Sequence, residues 1–146
     1  MHVIDVVSDA SVALKWFHAE GEEGVEAARA LLDHYARQQI ALQVLDLTPY
    51  EVGNALLRGR AGVSAERVAI VLEALAEICP QLSPSIAELR VAASLAEQHG
   101  LTLYDAGYAA VARARGAELA TLDRALLRVG LGRRPSAILG DLTPSA

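Results

Sequence analysis

The sequence predicts an α/β protein: a central, mainly parallel sheet of four or five strands with helices on both faces, a three-layer α/β/α sandwich. Three observations predict it. Short apolar runs of strand length alternate with longer segments of helical period, as in a parallel sheet covered on both sides. The opening stretch "VVSDASVALKW", Val6 to Trp16, is an apolar run, a polar pair and then a helical pattern: a buried strand, a tight turn and a helix start. The length of 146 residues suits one domain, 1–146, with a real hydrophobic core and only the last few residues frayed.

In chain order, the first strand is expected over His2 to Ser8. Glu22 and Glu23 precede the periodic set Val25, Ala28, Leu31, Leu32 and Tyr35, and Arg37 closes it, so charge matches the helix dipole at both ends. A second strand runs Ala41 to Leu45. "TPYEVGNALLRGRAG" carries Thr48 as N-cap, Pro49 at the first helical position and Gly62 as the stop. Ser64 starts a further helix that Pro80 limits, and Gln81 to Ser83 is a weak strand candidate. Ser85 and Glu88 form a capping-box pattern, with Gly100 as the C-terminal cap. One more helix spans Thr102 to Gly116, and strands are expected over Glu118 to Leu122 and Ser136 to Leu139. Gly53 and Gly107 lie inside predicted helices, where close helix packing near an acidic edge accounts for them.

Composition excludes several classes. A formal charge of -5 argues against a general nucleic-acid coating protein, since non-specific binding comes mostly from Lys and Arg on phosphates. A local basic groove is still allowed; among the 13 basic residues only Lys15 is a lysine. The single cysteine, Cys79, reads as a buried structural thiol. His2, His18, His34 and His99 show no metal-ligand spacing. With neither a signal segment nor a membrane-length apolar run, the expected location is cytoplasmic.

Each acidic residue of interest has an ordinary structural explanation. Asp9 can cap the first helix, Glu51 completes a capping box with Thr48, Asp105 stands in the same relation to Thr102, and Asp123 follows a strand at a helix start. Together they say more. Asp9 and Asp123 fall at carboxyl ends of strands, Glu51 and Asp105 in first helical turns, and in a parallel sheet those places share one edge. Four carboxylates there repel one another and raise their own pKa values unless a cation is present. Hard divalent ions that take oxygen ligands, Mg²⁺ or Mn²⁺, suit such a set.

"DASVALKW" at Asp9, "TPYEVGNAL" with Glu51, "LTLYDAGYAAVA" with Asp105 and "ATLDRAL" with Asp123 resemble the successive motifs of PIN-domain ribonucleases, in particular the VapC toxins of bacterial toxin–antitoxin pairs. The resemblance covers nearly the whole chain in the expected order, and it implies a PIN-like sandwich. It further implies an endoribonuclease in which Asp9, Glu51, Asp105 and Asp123 surround Mg²⁺ or Mn²⁺, with a metal-activated water cleaving an RNA phosphodiester. Asp9 and Asp105 would hold the metal directly, and Glu51 and Asp123 partly through waters or on a second ion. Ser11 and Thr121 match motif hydroxyls that orient waters or carboxylates, and Asn54 shares a helix face with Glu51. Lys15 is a candidate phosphate contact, with snorkelling beside Trp16 as the plainer account. The resemblance also implies a small VapB-like antitoxin, whose arginine reaches the acidic cluster, and a homodimer.

The antitoxin's place is expected on the helices Glu22 to Arg37, Pro49 to Arg60 and Ala65 to Ile78, with Leu56, Leu57, Val68, Leu72 and Leu75 as surplus apolar surface; the plainer alternative is that all five enter one core. Dimerisation is expected near Ala87 to Ala96 and Tyr108. Asp5 has no counterpart in the motifs and stays outside the site. A receiver domain needs a late lysine that is missing. A dinucleotide fold needs a G-x-G-x-x-G after the first strand, and a haloacid-dehalogenase-like phosphatase needs an Asp where Ser11 stands. The rival from another class is a catalytically silent PIN-like binding or scaffold module.

Overall fold

The structure, a computed structural model, describes residues 3–19, 23–60 and 62–142. Its elements run β1 (Ile4–Ser8), α1 (Ala10–Phe17), α2 (Val25–Ala36), β2 (Ile40–Leu45), α3 (Thr48–Arg58), α4 (Ala65–Ile78), β3 (Gln81–Leu82), α5 (Ile86–His99), α6 (Leu103–Ala114), β4 (Glu118–Ala120), α7 (Arg124–Arg128) and α8 (Pro135–Leu142). The four strands form one sheet in the order β3-β2-β1-β4, and every pairing is parallel. Val6 pairs with Leu42 on one side and Glu118 on the other, which makes β1 a central, doubly covered strand.

The sheet separates two cores. Alternation along β1 sends Val6 to one face and Val7 to the other. On the Val6 face lie α1 to α4 and α8, through Val12, Trp16, Leu31, Val52, Leu75 and Ile138; on the Val7 face lie α5, α6 and α7, through Leu95, Val111 and Leu126. Trp16 is buried and donates its indole N–H to the Ala28 carbonyl at 2.9 Å, so α1 and α2 are joined by a satisfied polar contact inside the apolar layer. Cys79 is buried in the Val6-face core, where burial pushes its thiol up to about 12.

Chain order places the site. From β1 the chain moves outward to β2 and β3, then returns to lay β4 on the opposite side of β1. The carboxyl ends of β1 and β4 therefore flank the point where strand order reverses, the usual ligand crevice of an open α/β sheet. No helix among the described residues is long and apolar enough to cross a membrane.

Local chemistry explains most boundaries. Ser64, Ser85 and Thr102 each accept a backbone N–H as N-caps, Ser85 and Glu88 close the capping box, and Gly100 takes the left-handed conformation at φ 67°. Several expectations are corrected. Ser136 to Leu139 is not a strand: it lies within α8, where Pro135 opens the helix and the Arg134 carbonyl accepts from Ala137 and Ile138. The apolar run Ala137 to Leu139 is too short to carry a periodicity of its own, and the backbone of Arg133 takes the place beside β4 instead. β4 stops at Ala120, short of the expected Leu122. α3 ends at Arg58, before the predicted stop at Gly62. Thr48 is not the cap of α3 but its first residue. Its hydroxyl accepts from the Leu45 N–H at 3.1 Å, closing the turn after β2. A Cβ on Gly107 would meet nothing within 4 Å and one on Gly53 only ordinary contacts at 3.6 Å and beyond, so close packing does not account for either glycine. His2 and Glu22, at the starts of the first expected strand and helix, lie outside the described residues.

Candidate functional site

Asp9 follows β1 directly and caps α1, its Oδ1 accepting from the Val12 N–H at 3.2 Å. It is buried, 3% exposed, and two hydroxyls grip it. Ser11 donates to Oδ1 at 2.5 Å and Thr121 donates to Oδ2. Each of these hydroxyls is itself loaded by a backbone amide: Leu122 N–H donates to Ser11 at 2.8 Å, and Asp123 N–H donates to Thr121 at 2.9 Å. Their own protons are thus left for the carboxylate, and both Asp9 oxygens are fixed across the β1–β4 crevice. Desolvation dominates all the same and raises Asp9 to about 6, against the Ser11, Thr121 and Val12 hydrogen bonds, with repulsion from Asp105 adding to the rise.

The other three carboxylates come from both helical layers. Glu51 stands in the first turn of α3, Asp105 in the first turn of α6, and Asp123 caps α7, accepting from the Leu126 N–H at 3.1 Å. Burial raises Glu51 above its ordinary value; hydrogen bonding from Tyr108 opposes the rise, and the charges of Asp105 and Asp123 reinforce it. Burial also raises Asp105, with repulsion from Asp123 next and the Thr102 hydrogen bond opposing. Across the carboxyl edge Asp105 thus acts on Asp9 and on Glu51, and the charge of Asp123 acts on Glu51 and Asp105.

The expected capping box at Glu51 does not form. Its Oε1 accepts instead from Tyr108 Oη at 2.8 Å, and Tyr108 Oη lies 2.7 Å from Thr48 Oγ1. Tyr108 is 1% exposed, which also removes it from any dimer surface. The sequence signal for it was its place three residues after Asp105 as the single polar-tipped side chain in a run of small apolar ones.

The remaining candidates are less concentrated. Asn54 is exposed and lines a groove between α3 and α4, with Leu57, Val68 and Leu72 along it and Glu51, Tyr50 and Tyr104 at its mouth. Leu56, Val68 and Leu75, expected as surplus surface, are buried in the Val6-face core, whereas Leu57 is 48% exposed. Lys15 sits in the last turn of α1, roughly 9 Å along the helix axis from Asp9. Asp5 is exposed near the amino end of β1, away from the acidic edge.

Among the described residues no group of three or more His, Cys, Asp or Glu side chains could hold a metal ion by itself. The donor set nonetheless fits a hydrated hard cation: it is oxygen throughout, its members disfavour one another's charge, and Mg²⁺ keeps several waters while taking one or two carboxylates directly. Ser8, fully buried at the end of β1 and next to Asp9 in the chain, has a hydroxyl without a hydrogen-bond partner among the described residues.

This edge, its four carboxylates and its strand order define a recognisable architecture. The PIN-domain family model matches residues 6–131, a span that includes all four carboxylates. The chain belongs to the PIN-domain family. This PIN domain is 41% identical over 125 residues to Ribonuclease VapC3 of Pyrobaculum aerophilum, covering 83% of this chain and 91% of that protein. Its fold matches the crystal structure of PAE2754 from the same organism with a TM-score of 0.67 and 27% identity, over 97% of this chain and 98% of the other. A toxin–antitoxin complex from Klebsiella pneumoniae contains a chain of the same fold, with a TM-score of 0.60 and 18% identity over 89% and 97% of the two chains.

Proposed function

We propose that this PIN domain is a Mg²⁺- or Mn²⁺-dependent endoribonuclease and the toxin of a toxin–antitoxin pair. The observation that carries the reading is the convergence of Asp9, Glu51, Asp105 and Asp123 from both helical layers onto the β1–β4 crevice, in a chain 41% identical to a protein named as a ribonuclease. Asp9 and Asp105 would hold the ion, with Glu51 and Asp123 acting through waters or on a second ion. When bound, the ion lowers the pKa of a water and offsets charge on the phosphate. Ser11 and Thr121 keep Asp9 in one orientation, so the ligand geometry does not have to be organised during turnover. Tyr50 and Tyr104, 79% and 61% exposed beside Glu51 and Asp105, offer ring faces on which unpaired RNA bases stack.

The α3–α4 groove is the proposed seat of a small VapB-like antitoxin. It is apolar along Leu57 and Leu72 and acidic at its mouth, which suits a peptide ending in an arginine. Homodimerisation is proposed through α5, where Ile86 and Leu89 are exposed one turn apart, at 69% and 37%. The silent scaffold alternative has no specific observation in its favour. Incubating the purified chain with a mixed RNA pool, with and without Mn²⁺, tests the reading: new RNA ends that vanish with chelator and with Asp9→Asn support it, and intact RNA at millimolar metal sinks it.

A further inference from the structure

We propose that Tyr108 is a positioning residue for the acidic site, the middle of a one-way hydrogen-bond relay that starts at the Leu45 amide, passes through Thr48 and ends on one oxygen of Glu51. The inference rests on the proposed role of Glu51 at the metal site.

The direction of the relay follows from donor chemistry. An ionised carboxylate only accepts, so the contact at 2.8 Å between Tyr108 Oη and Glu51 Oε1 uses the phenolic proton. With that proton committed, the 2.7 Å contact between Tyr108 and Thr48 must use the Thr48 proton. The Leu45 amide can only donate, and it fills a lone pair of Thr48 Oγ1 at 3.1 Å. Every proton has a single destination, and each bond polarises the next.

The placement of these groups is what makes the relay consequential. Leu45 ends β2, Thr48 begins α3 and Tyr108 belongs to α6, so three elements and both helical layers are joined through side chains 0% and 1% exposed. A buried tyrosine needs some acceptor, and a backbone carbonyl would meet that need. This one ends on a carboxylate that feels Asp105 and Asp123. With Oε1 engaged, the plane of the Glu51 carboxylate is set and Oε2 is the oxygen left for a ligand.

Tyr108→Phe removes the relay with little change in volume, and Thr48→Val removes it from the other end. Each is expected to weaken Mn²⁺ binding, measured calorimetrically, and RNA cleavage by roughly 10- to 100-fold, the usual cost of losing a group that orients a ligand. Thr48→Ser, which keeps the hydroxyl, restores both. In a Glu51→Gln background Tyr108→Phe adds no further loss, because the residue acts through Glu51. A merely structural role predicts additive losses and no rescue by serine, and either result overturns the proposal. A crystal structure of Tyr108→Phe without metal tests the relay independently of activity. The Glu51 carboxylate is expected to turn from its wild-type orientation, and an unmoved carboxylate rejects the relay. Should the wild-type chain neither bind Mn²⁺ nor cleave RNA, the function proposed above fails, and the crystallographic arm still decides the relay.

Discussion

At the scale of single residues, Asp9 caps a helix at the place where the proposed chemistry needs a carboxylate. It caps α1 with one oxygen, takes hydroxyl protons on both, and remains the most desolvated carboxylate of the cluster. Its pKa rises from 3.8 to about 6, so the folded state holds this proton more tightly than the unfolded chain does. The resulting stability is fully present below pH 3.8 and is lost as pH rises through about 6, a difference of about 3 kcal/mol at 1.36 kcal/mol per unit. Asp9→Asn has no charge to desolvate. Metal-free Asp9→Asn is therefore expected to lack this loss of stability between pH 4 and 7, while its RNA cleavage falls by at least about 100-fold, the scale on which essential electrostatic groups act. Parallel melting curves for the two proteins across that pH range, or wild-type-like cleavage, would remove Asp9 from the site. Glu51→Gln keeps an oxygen that can accept from Tyr108 but removes the charge, so a metal-site carboxylate loses Mn²⁺ affinity along with activity, and unchanged affinity takes Glu51 out of the site.

At the scale of elements, the segment after α7 matters more than its sequence suggests. Arg133 donates its N–H to the Leu119 carbonyl at 2.8 Å and accepts from the Thr121 N–H at 2.9 Å, extending the sheet edge by a single bridge beside Ala120. Gly132 permits that approach, because a Cβ there would lie 2.5 Å from Thr121 Cγ2. Gly132→Ala should cost about 1–3 kcal/mol of stability, the usual range for an overpacked site. It should also impair cleavage, since the atom it strikes belongs to the residue that holds Asp9. Thr121→Ser in the same chain removes the struck methyl and keeps the hydroxyl, so it should recover both melting temperature and activity. A Gly132→Ala protein that melts with wild type ends this account. The contact joins residues on either side of α7, and no local periodicity announces it. The same limit explains Thr48 and Tyr108: a capping box was readable at "TPYE", but the competing partner for Glu51 sits 57 residues away. The positions of β1, β2 and β4, the weak candidate that became β3, and the helix starts at Ser64, Ser85 and Thr102 were legible because each depends on local periodicity or on local cap chemistry. The Ser136 to Leu139 run misled for want of periodicity, and only Pro135 hinted at its helix.

At the scale of the whole molecule, the proposed function puts two linked equilibria on the carboxyl edge. On the proposed function, protons and a divalent cation compete for carboxylates that burial and mutual repulsion have raised, so stabilisation by Mn²⁺ should be small at pH 5 and grow toward pH 7.5. A melting shift independent of pH would mean the ion binds elsewhere. The proposed antitoxin would be a second ligand of the same edge. The groove that leads to Glu51 is bounded by Leu57, exposed on the outer turn of α3, and by Leu72 on α4, and neither belongs to the acidic cluster. Leu57→Asp should therefore leave folding and RNA cleavage unchanged while weakening the grip of an apolar peptide, because a buried unpaired charge at the contact is strongly unfavourable. Expressed with the short reading frame beside its gene, the wild-type chain should be tolerated and Leu57→Asp should be toxic, whereas without that frame both should be toxic. Protection of Leu57→Asp as complete as that of wild type would show that the α3–α4 groove is not where the antitoxin binds.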